Sequence, residues 1–287
     1  MIGGSSFMSK WVHQMIETSR GSFEVFTKGK GEPVCVTHHY SEFDDSGDYF
    51  ANTFTSTNKV FLVNLRDAGN TDKPSSPHEL SMIDAVLDLE SIRQAFGYEK
   101  WTFAGHSTGG MIGLLYGIHF SESLKSLIIV GSSAREFSSS STKCIYNEEH
   151  PNYERMQELM QLLKNPLLTI KERYQLSKER TQFSLYRPDN YEAFFSSNIQ
   201  KKICASRLNF FGREALIYDV TRQLDKVKTS VHILCGRHDV QCPVEFSLEM
   251  HEILEYSTLD IFEESNHYPF IEEKELFTQV INRFLVE

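Results

Sequence analysis

No apolar run in this 287-residue sequence is long enough to cross a membrane, and Met1 to Lys10 hold small and polar residues without the apolar core of a signal peptide. The expectation is a soluble protein of the cytoplasm. Basic residues are scarce, 29 Lys and Arg against 39 Asp and Glu, for a formal charge of −10. Such a balance argues against nucleic acid or an anionic membrane as the main partner. Cysteines are few and unpatterned: Cys35, Cys144, Cys204, Cys235 and Cys242 are odd in number and contain no Cys-X-X-Cys spacing. They read as reduced, mostly buried small hydrophobes, not as a disulfide framework. His, Cys, Asp and Glu nowhere cluster at ligand spacing, so neither a metal nor another cofactor is expected. What remains is a small-molecule substrate, handled by a monomer or homodimer.

The chain does have a regular alternation of strand-like and helix-like segments. Val12 to Thr18 and Gly21 to Thr27 read as an opening antiparallel pair. Pro33 to Thr37, Val60 to Leu65, Lys100 to Ala104, Leu124 to Val130, Val231 to Gly236 and Thr258 to Phe262 are short apolar runs, the mark of strands covered on both faces. Between them, helices are expected over Asp48 to Thr57, from Leu80 through Ile83, Leu87 and Ile92 to a C-cap at Gly97, after Ser107, over Val244 to Leu254, and over Phe270 to Leu285. This alternation predicts a mainly parallel sheet with helices on both faces and reactive groups at the carboxyl ends of its strands. From Ala134 to Val227 it stops. Met156, Leu159, Met160 and Leu163 form one helical stripe there, and Tyr191, Phe194 and Phe195 belong to a second. Residues 134–227 carry 15 Lys and Arg against 12 Asp and Glu, about +3, which leaves −13 for the rest. The expected division is a core of residues 1–133 and 228–287 with a helical insertion of residues 134–227.

Lys100 to Gly113 runs from a strand through Gly105-His106-Ser107-Thr108-Gly109 into a helix. A serine at such a turn is exposed and strained, and the flanking glycines admit the close approach of strand and helix. The helix beginning at Thr108 aims free N–H groups at charge developing beside Ser107. A serine hydroxyl still needs a base and a group to orient that base. Asp239 follows the strand ending near Gly236, and His267 follows the last strand; the order Ser, Asp, His suits this architecture.

Three sets of residues carry a resemblance: Gly105-His106-Ser107-Thr108-Gly109-Gly110, Gly236-X-X-Asp239-X-X-X-Pro243, and His267-X-Pro269 followed by Glu272, Phe277, Val280 and Phe284-Leu285. On these the chain resembles the α/β-hydrolase superfamily of single-chain esterases, lipases, epoxide hydrolases and proline iminopeptidases, over nearly all of its length outside the insertion. The resemblance implies a mainly parallel eight-stranded sheet with a helical cap after the sixth strand. It implies Ser107 as nucleophile, His267 as base and Asp239 as acid. It also implies an oxyanion hole from the N–H groups of Thr108 and, by alignment, Tyr40. His39 stands where the family usually has glycine, Asn64 to Thr71 departs from the family's usual loop, and Asn266 replaces a common glycine before the base.

Serine at the turn excludes the epoxide hydrolase and dehalogenase branches, which place aspartate there. The expected activity is hydrolysis of a small ester, thioester or amide through an acyl-enzyme. An iminopeptidase is an alternative, with Glu179, Glu192 or Glu214 taking a substrate amine; its usual Gly-Gly-Ser-Trp-Gly elbow is not the one present. Carbon–carbon bond hydrolysis and a non-turnover receptor for a small ligand are further alternatives. His38 is expected to brace the oxyanion loop, and His238 to lie at the surface. Candidate substrate contacts are His39, His106, Met156, Phe183, Tyr186, Phe194 and Phe210, and the pocket is expected to be mainly apolar and closed.

Overall fold

The apolar runs become the interior of one twisted sheet. In the computed structural model, which describes residues 10–197 and 199–286, eight strands pair: β1 (Val12–Thr18), β2 (Gly21–Lys28), β3 (Pro33–Val36), β4 (Lys59–Val63), β5 (Trp101–His106), β6 (Leu124–Val130), β7 (Ser230–Gly236) and β8 (Ser257–Phe262). Their spatial order is β1-β2-β4-β3-β5-β6-β7-β8. β1 and β2 form the expected hairpin, β2 meets β4 antiparallel, and every other pairing is parallel. The stretch Met1 to Ser9, read above for a signal peptide, lies outside the described residues. Among the described residues no helix is long and apolar enough to cross a membrane.

Successive residues of a strand face opposite sides, so each central strand feeds two cores. Trp101 and Phe103 of β5 pack with helices α1 (Met82–Ala95) and α2 (Thr108–Phe120), through Val86, Leu89, Met111 and Tyr116. Ala104, the residue after Phe103, faces Phe50, Phe54, Phe277 and Ile281 on the other side. Sequences buried on both faces therefore read as continuous apolar runs, as the four buried residues Val60 to Val63 of β4 do.

Two expected helices are altered. Only Tyr49–Asn52 of the Asp48 to Thr57 segment is helical. Thr53 and Thr55 turn their hydroxyls onto the carbonyls of Phe50 and Asn52, offering the backbone an alternative to the next helical turn. The C-terminal helix breaks at Glu273 into Pro269–Glu272 and α7 (Lys274–Val286; α3 to α6 are defined below). The break lets the Glu273 carboxylate accept from Ser265 Oγ at 2.6 Å and Glu264 N at 3.0 Å, fastening the loop that carries His267.

Between β6 and β7 lie α3 (Tyr153–Leu163), α4 (Ile170–Gln182), the single turn Tyr191–Phe194 and α5 (Ala205–Glu214); α6 (Val244–Ile253) follows β7. The stripe Met156, Leu159, Met160 and Leu163 is buried throughout. Lys202–Ile203 pairs antiparallel with Ser41–Glu42, a contact too short to leave a periodic signal in the sequence. The two ends of the segment meet where Val220 N donates to Ala134 O at 2.8 Å and Glu136 N to Tyr218 O at 2.7 Å. Tyr218, Val220, Leu224 and Val227 already pack with the sheet.

Candidate active site

Ser107 sits between β5 and α2 with φ 57° and ψ −122°. Among the described residues only Asp67 shares a positive φ without being glycine, and such a conformation costs on the order of 1–3 kcal/mol. The surroundings hold it there. A Cβ on Gly105 would lie 2.2 Å from the Gly109 carbonyl oxygen, and one on Gly109 would lie 2.4 Å from Thr37 O, so strand, turn and helix can be this close only with both glycines. Ser107 N donates to Val130 O at 2.9 Å. The hydroxyl makes no hydrogen bond among the described residues. In the absence of substrate a nucleophile–base contact is often loose.

Asp239 and His267 are brought together from two loops. His267 Nδ1 lies 2.8 Å from Asp239 Oδ2, and both side chains are almost completely buried. The other carboxylate oxygen accepts from Gln241 N at 2.9 Å and Cys242 N at 2.8 Å, which fixes its orientation. Asn266, a departure from the family pattern, links the two loops: its Oδ1 accepts from Val240 N at 2.9 Å. The Glu272 carboxylate accepts from Asn266 N at 2.8 Å and Tyr186 N at 2.7 Å, and burial pushes its carboxyl up to about 7 despite these donors. Gly131, at φ +53°, passes directly behind the pair; a Cβ there would lie 2.9 Å from Asp239 Oδ2 and 3.2 Å from His267 Nδ1. Gly131→Ala is therefore expected to cost about 1–2 kcal/mol of stability through backbone strain alone. It should also lower kcat/KM at least tenfold, since the pair must move. Thermal denaturation and steady-state kinetics on the same preparation check both.

The loop after β3 faces the start of α2. His38 bridges it, with Nδ1 2.9 Å from Ser41 Oγ and Nε2 3.0 Å from Thr108 Oγ1. Burial, then the nearby Lys201 cation, pushes the His38 imidazole well below its usual value, so it braces this loop as a neutral ring. His39 N is committed to Thr108 Oγ1 at 3.2 Å. The N–H of Tyr40 makes no hydrogen bond among the described residues, and Thr108 opens α2, where the first N–H groups have no intrahelical acceptor.

Two cavities meet at Ser107, Tyr40 and Gln241. The first, about 430 Å³, is lined by Thr108, Met111, Phe137, Leu208 and Phe211 among others. The second, about 470 Å³, is lined by His38, His106, His267, Tyr268, Phe195 and Arg180 among others. The pocket is thus less apolar than the sequence suggests, because Arg173, Arg180, Lys201 and Lys202 also reach the second cavity.

Of the seven candidate substrate contacts, His106 lines a cavity. Its Nε2 donates to His267 O at 2.7 Å, and burial keeps the ring neutral. The other six are placed elsewhere. His39 is sealed behind the loop, with Nε2 3.1 Å from Glu214 Oε2 and Nδ1 3.1 Å from Arg207 Nη2. Met156 is consumed in a core with Ile145 and Leu208, against which Phe183 also packs. Tyr186 stacks on His238 with ring centroids 4.6 Å apart, at the surface. Phe194 packs against the hydrophobic cluster that contains Phe50 and Phe270, and Phe210 lies beside Arg213. Phe195, next to Phe194, and Phe211, next to Phe210, hold the lining positions instead. The acidic candidates for an amine site are engaged outside the cavities. Glu179 pairs with Arg155 at 2.6 Å, Glu192 with Lys178, and Glu214 with His39 and Met82 N.

Sequence reasoning passed over Arg207, which is fully buried and donates to the carbonyls of His39, Arg66 and Leu80, locking α5 to the loop after β3. Burial pushes its guanidinium down to about 10. It also passed over Gln241, which joins Tyr146 Oη at 2.8 Å to Ser184 Oγ at 2.8 Å, while Ser184 O accepts from His267 N at 3.1 Å. Among the described residues no group of three or more His, Cys, Asp or Glu side chains is arranged to hold a metal ion.

A sequence model described as the alpha/beta hydrolase fold matches residues 44–273. An alpha/beta fold family hydrolase from Bacillus anthracis str. Sterne, of known structure, is 41% identical over 96% of this chain and 99% of its own, with a TM-score of 0.91. A proline iminopeptidase of Saccharolobus solfataricus is 26% identical, over 79% of this chain and 75% of its own length. A 2-hydroxymuconate semialdehyde hydrolase of Pseudomonas putida is 23% identical, over 91% and 89% respectively. With the match spanning most of the chain and the eight-stranded sheet in this order, the chain belongs to the alpha/beta hydrolase fold family, as one of its hydrolase enzymes.

Proposed function

We propose that the chain is a serine hydrolase that cleaves a small ester, thioester or amide through an acyl-enzyme on Ser107. The observation that carries this reading is the buried Asp239–His267 pair, whose His267 lines the same cavity as the strained Ser107. On this reading His267 takes the Ser107 proton as Oγ bonds to the substrate carbonyl carbon. The carbonyl oxygen becomes an oxyanion facing the N–H groups of Thr108 and Tyr40. Collapse breaks the bond to the leaving group, which receives the proton from His267. Water, deprotonated by the same imidazole, then attacks the acyl carbon and frees Ser107. Asp239 stays ionised and holds the ring with its proton on Nδ1.

Residues 134–227 act as the cap over this centre, with the core formed by residues 1–133 and 228–287. Cavities of about 430 and 470 Å³ are of the size that holds a small-molecule substrate. The iminopeptidase reading is disfavoured, because Glu179, Glu192 and Glu214 are engaged elsewhere while Arg180 and Lys201 would repel an ammonium group. The test is a fluorophosphonate label followed by p-nitrophenyl butyrate, p-nitrophenyl palmitate and prolyl-naphthylamide. Labelling with kcat/KM highest on the butyrate is expected. Higher efficiency on the prolyl amide would turn the assignment to an iminopeptidase, and labelling without steady-state turnover would turn it to a receptor.

A further inference from the structure

The side chain of Arg180 reaches the second cavity from α4. Its helix neighbours are paired outward, Lys178 with Glu192 and Glu179 with Arg155. Arg180 differs: its Nε donates to Met160 Sδ at 2.9 Å, with the phenols of Tyr146, Tyr268 and Tyr40 in electrostatic reach. Among the described residues no carboxylate pairs with it. Burial raises the phenols of Tyr40 and Tyr146, so neither supplies a negative charge near neutral pH. A half-buried guanidinium facing a cavity with only neutral partners leaves its charge uncompensated, and a planar anion is the partner its fork geometry fits.

The rest of the cavity has the same sign. Arg173, Lys201 and Lys202 line it with Arg180, and the one carboxylate there, Asp48, is 3.9 Å from Lys201. This cationic wall belongs to a protein of formal charge −10. Such a cleft concentrates anions that the remaining surface repels. The first cavity carries no comparable charge: Glu136 and Lys164 offset each other, and the Glu136 carboxylate is occupied by Ser138 and Ser139.

The catalytic groups divide between the cavities in a way that gives direction. His267, the proton donor to the leaving group, lines the second; Thr108, whose N–H faces the oxyanion, lines the first. We propose that the substrate is an ester whose leaving alcohol or phenol carries a carboxylate held by Arg180, with an uncharged acyl group in the first cavity. This rests on the serine-hydrolase reading above.

The test compares 3-(butyryloxy)benzoate, phenyl butyrate and the phenyl monoester of glutarate. These place the carboxylate on the leaving group, nowhere, and on the acyl group. The wild-type protein should favour the benzoate ester over phenyl butyrate at least tenfold in kcat/KM. Arg180→Gln should lower that ratio by about 10- to 100-fold, mainly through KM, as expected for loss of a charged hydrogen bond. Arg180→Lys should restore part of it, and 3-hydroxybenzoate should inhibit the wild type more strongly than Arg180→Gln. Equal losses on both butyrates in Arg180→Gln would make the residue a packing element and overturn the proposal. Preference for the glutarate monoester would overturn its direction. A wild-type protein that fluorophosphonate labels at Ser107 but that shows no preference would sink the carboxylate assignment alone, whereas failure to label would sink the serine-hydrolase reading beneath it.

Discussion

Ser107→Ala is expected to abolish fluorophosphonate labelling and to lower kcat by about 10³-fold or more, with little change in melting temperature. The two expectations come from different features. Activity depends on Oγ, which alone forms the acyl-enzyme. Stability does not, because the hydroxyl makes no hydrogen bond among the described residues. Alanine also keeps the Cβ that already occupies φ 57°, so backbone strain is the same in both proteins. Ser107 N retains its bond to Val130 O. The measurement is single-turnover acylation alongside thermal denaturation. Retention of more than a tenth of the activity would show that another group attacks the substrate.

The elements that position Ser107, Asp239 and His267 were legible because each leaves a local mark. Parallel strands covered on both faces become short apolar runs, and the close approach of Gly105 and Gly109 to their neighbours forces glycine at fixed offsets from the serine. The cap contacts were not legible, for a geometric reason. Phe210 and Phe211, like Phe194 and Phe195, are adjacent in sequence, and which of each pair turns inward depends on a helix phase set by tertiary packing. Arg180 was hidden differently. None of the α4 residues is fully buried, so the helix reads as a solvated, mixed-charge surface, and its position against α3 decides that Arg173 and Arg180, among its cations, turn toward the cavity. Met156 was misplaced because burial in the cap's own core and exposure to a ligand use the same kind of side chain.

Asp239→Asn is expected to lower kcat by about 10⁴-fold while leaving the fold intact, although it changes only one atom. The neighbours of the carboxylate dictate which way the new amide lies. Oδ1 receives two backbone donors, Gln241 N at 2.9 Å and Cys242 N at 2.8 Å, and an NH₂ group there would oppose both. The amide oxygen therefore takes the Oδ1 position, and the NH₂ replaces Oδ2, 2.8 Å from His267 Nδ1. A donor at that point stabilises the imidazole tautomer that carries its proton on Nε2, and that nitrogen can then no longer accept the Ser107 proton. Ground-state substrate binding does not use this bond, so KM should change far less than kcat, and the label should react with Ser107 slowly instead of not at all. Acylation rates for the wild type, Asp239→Asn and Ser107→Ala rank the three cases. A loss smaller than tenfold in Asp239→Asn would mean that another carboxylate orients the ring.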